Sequence, residues 1–177
     1  MTMHEQTSMD TAFSPAVRAA QELRGSRAGY ARMEAKRPWP DRTTPDLEAF
    51  IGQQTSVFLG TSSAAGQPYI QHRGGPPGFL KVLGSHEIGF ADLGGNKQYI
   101  TLGNLSDNPQ VILFLMDYER ARRVKIWGTA RVVEDDPDLV ELLIPDGGAG
   151  RPERAIFLTV ATWDVNRSYP LEEGALR

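Results

Sequence analysis

Three short segments carry the residue types that could do chemistry. Gln71-His72-Arg73 closes a strand-like run and leads into Gly74-Gly75-Pro76-Pro77-Gly78. Asn96-Lys97 opens a helix-like run after the polar turn Asp92-Leu93-Gly94-Gly95, and Arg122, Arg123 and Lys125 begin another strand. Side chains alternate across a strand, so Gln71 and Arg73 share one face; Arg123 and Lys125 share another, with Arg122 opposite. A helix start offers unpaired N–H groups and a positive dipole end, and with Lys97 beside it suits a terminal phosphate. Taken alone, Asn96 is also an ordinary N-cap residue. An inward-facing cation on a small sheet domain is costly without a partner, so Arg123 and Lys125 call for an oxygen-rich neighbour. Together these segments describe a pocket for a phosphorylated planar ligand.

Other chemistries find no purchase. Gly74 to Gly78 fits neither GxGxxG nor the P-loop, because no lysine and hydroxyl residue follow in register, and by itself it reads as a wide turn. There is no cysteine and no GxSxG serine. The three histidines lack metal-ligand spacing. Glu134, Asp135 and Asp136 sit beside Pro137 and read as a helix start, not as an acid/base pair. Any reaction therefore belongs to a bound cofactor.

The elements that must position these residues follow from capping and period. Residues 1–13 are polar and expected to be loosely held. Ser14-Pro15 predicts a helix ending near Gly25, a second helix covers Arg27 to Lys36, and Pro38-Trp39-Pro40 stops it. This arm, residues 1–44, has little apolar surface and is expected to pack on the rest of the chain or on a second subunit. Thr44-Pro45-Asp46 starts a helix with Leu47, Phe50 and Ile51 on one face. From Thr55 the period becomes two. Strands are expected over Val57 to Thr61, Gln67 to Arg73, Phe79 to Leu83, Glu87 to Ala91, Val111 to Met116, Arg123 to Val133 and Ala155 to Val165. A helix is expected from Asn96 to Leu105, turning Tyr99, Ile100, Leu102 and Leu105 to the core, and a short acidic one over Asp135 to Leu143. No internal repeat or low-complexity segment interrupts the pattern. The implied class is α+β: six or seven mostly antiparallel strands closed into a barrel over residues 45–177, with small flanking helices.

Composition sets the outer limits. A chain of 177 residues fits one domain, with 40% apolar and 23% charged residues. A net charge of -3 argues against a general nucleic-acid binder. No apolar run approaches the ~20 residues that span a bilayer. His4, Glu5, Gln6 and Asp10 do not make a signal peptide, so the expectation is a cytoplasmic protein with no membrane partner.

The block Gln67 to Phe79, then Gly89-Phe90-Ala91-Asp92 with Gly95-Asn96-Lys97-Gln98-Tyr99, then Asn104-Leu105, Asn108-Pro109 and Arg123-Val124-Lys125-Ile126-Trp127-Gly128, closely resembles pyridoxamine-phosphate-oxidase-like FMN-binding split-barrel proteins. The resemblance spans roughly residues 45 to 165. It implies a split β-barrel, a homodimer and one FMN in each of two clefts at the dimer interface. It implies that Gln71, His72 and Arg73 line the flavin and reach its ribityl phosphate, and that Ala91 and Asp92 pass the isoalloxazine ring and ribityl chain. Asn96, Lys97 and Gln98 match the segment gripping the phosphate, and Arg123 falls where a polar side chain meets the pyrimidine edge. The true oxidases carry two adjacent basic residues in the phosphate segment, whereas here only Lys97 is basic. Their C-terminal substrate-phosphate segment has no clear counterpart in Trp163-Asp164-Val165-Asn166-Arg167-Ser168-Tyr169-Pro170. The implied function is an FMN-dependent oxidoreductase acting on a small molecule, with NADH or NADPH as candidate donor. The alternatives are a non-catalytic flavin carrier or sensor, and a reductase using the deazaflavin F420.

Overall fold

A computed structural model describes residues 7–147 and 151–167. Three of its helices start as the sequence dictates. Ser14 Oγ accepts from Val17 N ahead of Pro15 in α1 (Pro15–Leu23), and Thr44 Oγ1 accepts from Leu47 N ahead of Pro45 in α3 (Pro45–Gly52). Proline at the first helical position costs nothing there, because its missing N–H would have no partner. The second helix, α2 (Arg27–Lys36), follows Gly25, whose φ of 75° favours glycine. Asp136 likewise caps α5 (Pro137–Leu142).

The strands are β1 (Ser56–Ser62), β2 (Pro68–Gly74), β3 (Leu80–Val82), β4 (Glu87–Leu93), β5 (Gln110–Asp117), β6 (Arg122–Val133) and β7 (Pro152–Arg167). They form one antiparallel sheet in the order β2-β1-β5-β6-β7-β4-β3. The sheet curls into a half-barrel around Val57, Leu59, Phe90, Leu113, Leu115, Val124, Ile126 and Ile156, with Leu47, Phe50 and Ile51 of α3 packed into the same core. Strand β7 is the spine: it pairs with β6 from Arg122↔Arg167 to Val133↔Ala155, and with β4 over its first half. The β6–β7 register shifts at Trp127/Gly128, where a β-carbon on Gly128 would collide with the Thr159 carbonyl. A smaller cluster of Val140, Leu143, Ala155 and Phe157 lies under α5 on the outer side.

The arm docks on the barrel wall. Trp39 stacks on Trp127 of β6 with centroids 5.4 Å apart, and Phe13 meets Trp39 edge-on. Trp163 of β7 donates its indole N–H to the Arg42 carbonyl at 2.8 Å. In the arm itself, the buried Glu34 accepts from Arg18 and Arg27, which ties α1 to α2.

Two expectations need correction. Residues 8–11 of the polar start form a 3-10 turn, with Met9 fully buried, because one long apolar side chain is enough to anchor it. The helix α4 (Ile100–Asp107) begins four residues later than Asn96, since Lys97 and Tyr99 adopt left-handed φ of 59° and 55°. Accordingly Thr101 and Leu105 are its buried residues, while Tyr99 and Ile100 are exposed. Expectations for residues 1–6 and for Ser168 onward lie outside the described residues.

Candidate functional site

The split of the half-barrel lies between β2 and β4, which have four strands between them in the sheet but meet through their side chains. On β2, Gln71 and Arg73 pair in register with Leu59 and Val57, so they face inward with those core residues. On β4, Asp92 lies opposite Arg154 of β7, on the face shared with Phe90 and Ile156. The Arg73 guanidinium reaches Asp92 Oδ1 at 3.1 Å across the split. Arg154 donates to Asp92 Oδ2 at 3.0 Å, to Glu134 at 2.8 Å and to Glu153 at 2.7 Å. Burial opposes the Arg154 charge, but the hydrogen bonds to Glu134, Asp92 and Glu153 outweigh it and hold its pKa above the ordinary value.

A cleft opens over this ion chain. Its walls are Tyr69, Gln71 and Arg73 of β2, Asp92 and Leu93 of β4, Glu153 and Arg154 of β7, the loop Gly95 to Tyr99, and the first turn of α4, with the Glu153 carboxylate engaged by Arg154. Thr101 donates to Gln71 Oε1 at 2.9 Å, which fixes the N-terminus of α4 against β2. Asn104 and Asn108 anchor the far end of α4 on Thr61 and Ser62 of β1. The Asn96 side chain accepts from Gln98 N, so it shapes the loop instead of capping the helix. The cleft thus combines the free N–H groups of a helix start, the Lys97 ammonium and the Arg73 guanidinium, a donor set for an anion. Two polar atoms here, Arg73 Nε and Asp92 Oδ1, are buried without a hydrogen-bond partner among the described residues. Leu93, Tyr99 and Ile100 form an exposed apolar rim.

Of the nine residues singled out from sequence, Gln71, Arg73, Asp92, Asn96, Lys97 and Gln98 line this one cleft. The other three lie elsewhere. His72 points to the outer face, where its Nε2 is 2.8 Å from Ser56 Oγ. Ala91 packs against the cluster under α5. Arg123 stands on the outer face of β6 with Lys125 and Trp127, alternating with the buried Val124 and Ile126. Lys125 there is 2.9 Å from Asp164. The loop Gly74 to Gly78 is held against α3, with Gly78 N bonded to Gly52 O, and does not line the cleft. Sequence reasoning missed Arg154. The signal was available: Arg154 alternates with Ile156, Leu158 and Val160, which places a cation on the core face of its strand. Among the described residues, no cluster of three or more metal-capable side chains occurs.

These residues fit a phosphate-bearing flavin at one end only. The cavity measures about 40 Å³, against ~300–1,000 Å³ for a small-molecule site. The donors for a phosphate are in place, and the apolar rim suits a ring, but one chain does not enclose it.

The family model for pyridoxamine 5'-phosphate oxidase matches residues 43–166. No curated protein matches the chain. Among solved structures, HupZ of Group A Streptococcus is similar at 19% identity and a TM-score of 0.58, covering 71% of this chain and 95% of that one. A putative pyridoxamine 5'-phosphate oxidase from Lactobacillus delbrueckii reaches 0.54 at 20% identity, covering 71% and 95%. An FMN-binding protein from Syntrophomonas wolfei reaches 0.51 at 12% identity, covering 84% and 99%. At these identities the structures speak for the fold, and the family match over most of the chain speaks for descent: the chain belongs to the pyridoxamine 5'-phosphate oxidase family.

Proposed function

We propose that this protein binds FMN and works as an FMN-dependent oxidoreductase on a small molecule, as a homodimer. The observation that carries this reading is the convergence of Lys97, Arg73 and the α4 N-terminus at one end of a cleft with an apolar rim. In this reading the phosphate lies against Lys97 and the first turn of α4, while Gln71 and the rim residues Leu93 and Tyr99 orient the ring. Bound FMN would supply hydride transfer, and the protein would bind it, orient it and tune its electrostatics. No nucleophile or metal chemistry of the chain's own is required.

A second copy supplies the missing wall. The outer face of β2, β1 and β5 presents Ile70 at 69% exposure, with Phe58, Ile112, Phe114 and Met116 half-buried around it. That apolar face suits a like face, and Arg123 at its β6 border would then reach the partner's cleft.

The absorption spectrum of the protein as purified tests the cofactor. A flavin spectrum supports the reading; a deazaflavin spectrum replaces FMN by F420, and a colourless protein that FMN does not reconstitute overturns it. Bleaching of bound FMN by NADH or NADPH, faster than that of free FMN, distinguishes an oxidoreductase from a passive carrier.

A further inference from the structure

We propose that Arg154 is a positioning residue that sets the anion affinity of the cleft by occupying Asp92 and so leaving Arg73 available to a ligand. The inference deepens the flavin-phosphate reading and rests on it only for the choice of ligand. Asp92 is 4% exposed and divides its two oxygens between two arginines. Oδ2 accepts a well-formed hydrogen bond from Arg154 at 3.0 Å. Oδ1 has Arg73 at 3.1 Å as an ion pair, yet receives no hydrogen bond, and Arg73 Nε has none either. Arg154 is held by Asp92, Glu134 and Glu153 together, so its position does not depend on a ligand. Among the described residues, the Arg73 side chain has one ion pair, with Asp92, and its Nε has no hydrogen-bond partner.

Arg154 is shared among three carboxylates, whereas Arg73 has only its contact with Asp92; both arginines line the cleft, and Arg73 is the less firmly bonded of the two. Removing Arg154 would leave Asp92 and Arg73 as a one-to-one pair free to close into the bidentate geometry that carboxylates and guanidiniums favour. Arg73 would then be neutralised and withdrawn from the cleft, although Arg154 itself need not touch the ligand. Removing the Asp92 charge as well should release Arg73 again.

The experiment measures FMN, riboflavin and pyrophosphate affinity in the wild-type chain, R154M, R154K and the double variant D92N/R154M. We expect R154M to weaken FMN and pyrophosphate about tenfold with riboflavin unchanged. R154K, which keeps a cation on Asp92, should stay within about threefold of wild type. D92N/R154M should recover most of the loss, a rescue that a purely structural role of Arg154 would not produce. Equal losses for FMN and riboflavin, an unchanged R154M, or a double variant no better than R154M would overturn the proposal. If R154M does not fold, the comparison of R154K with the double variant decides: both near wild type supports it, and a weak double variant overturns it. Wild-type FMN no tighter than riboflavin would overturn the flavin-phosphate reading, and the Arg154 proposal is then decided on pyrophosphate alone. A wild-type chain that binds FMN no tighter than riboflavin and binds no pyrophosphate overturns both.

Discussion

If Lys97 holds the phosphate of bound FMN as proposed, Lys97→Ala removes a charge-assisted contact to a dianion, and losing such a bond costs ~1.5–3 kcal/mol. FMN affinity should fall about ten- to a hundredfold and riboflavin affinity hardly at all; titration of both ligands checks it, and equal losses would place Lys97 elsewhere. Arg123 makes a different prediction because it stands on the outer face of β6, away from its own chain's cleft. If it meets the pyrimidine edge of a partner's flavin, its charge favours the reduced, anionic ring over the neutral oxidised one. Arg123→Gln should then lower the midpoint potential of bound FMN by tens of millivolts, since ~30 mV corresponds to ~1.4 kcal/mol for a two-electron couple. An unchanged potential in a dye-linked titration would remove Arg123 from the flavin. At this scale the sequence was readable where alternation applied. Gln71 and Arg73 share a face because their spacing is two, and the same rule could have flagged Arg154. What no spacing revealed is that Arg73 and Arg154, eighty-one residues apart, share Asp92.

Among the elements, the arm makes the clearest prediction. Trp39 is half-buried, stacked on Trp127 and edge-on to Phe13, with Lys125 5.9 Å from its ring centre. Trp39→Ala should destabilise the docked arm by about 2 kcal/mol, below the range for a fully buried tryptophan. Limited trypsin digestion should then cut within α1 and α2 while the barrel resists; an arm as resistant as wild type would show that Trp39 is not its anchor. The helix starts at Pro15, Pro45 and Pro137 were legible because cap and proline act locally. The start of α4 was not. Asn96 carries the composition of a cap, but its side chain accepts from Gln98 N within the loop, and the left-handed Lys97 and Tyr99 put off the helix until Ile100, a backbone choice that helix propensity does not contain.

For the whole molecule, the expected species is a homodimer of twice the 19.5 kDa chain mass. Obligate interfaces commonly bury more than ~2,000 Å². The small cavity and the apolar outer face around Ile70 both call for such a cover. Light scattering at micromolar concentration checks it, and a stable monomer would leave the cleft without its second wall. Seven strands and their antiparallel class followed from period and turns, but the order β2-β1-β5-β6-β7-β4-β3 did not. Neighbouring strands such as β1 and β5 are joined by antiparallel backbone pairing between segments more than fifty residues apart, which no short window of sequence displays.

The place of β7 in that order governs how the molecule comes into being. It is the last strand described, yet it alone joins β6 to β4, so the hairpin β3–β4 has no sheet to join until residues 152–167 exist. A chain emerging from the ribosome therefore holds two unfinished halves with open edges, and long-range pairing of this kind is slow. Closure across the split by Arg73 and Asp92 must wait for synthesis to pass Arg154. Nascent chains arrested before residue 150 should remain fully digestible by protease, and those arrested with residue 167 clear of the exit tunnel should not.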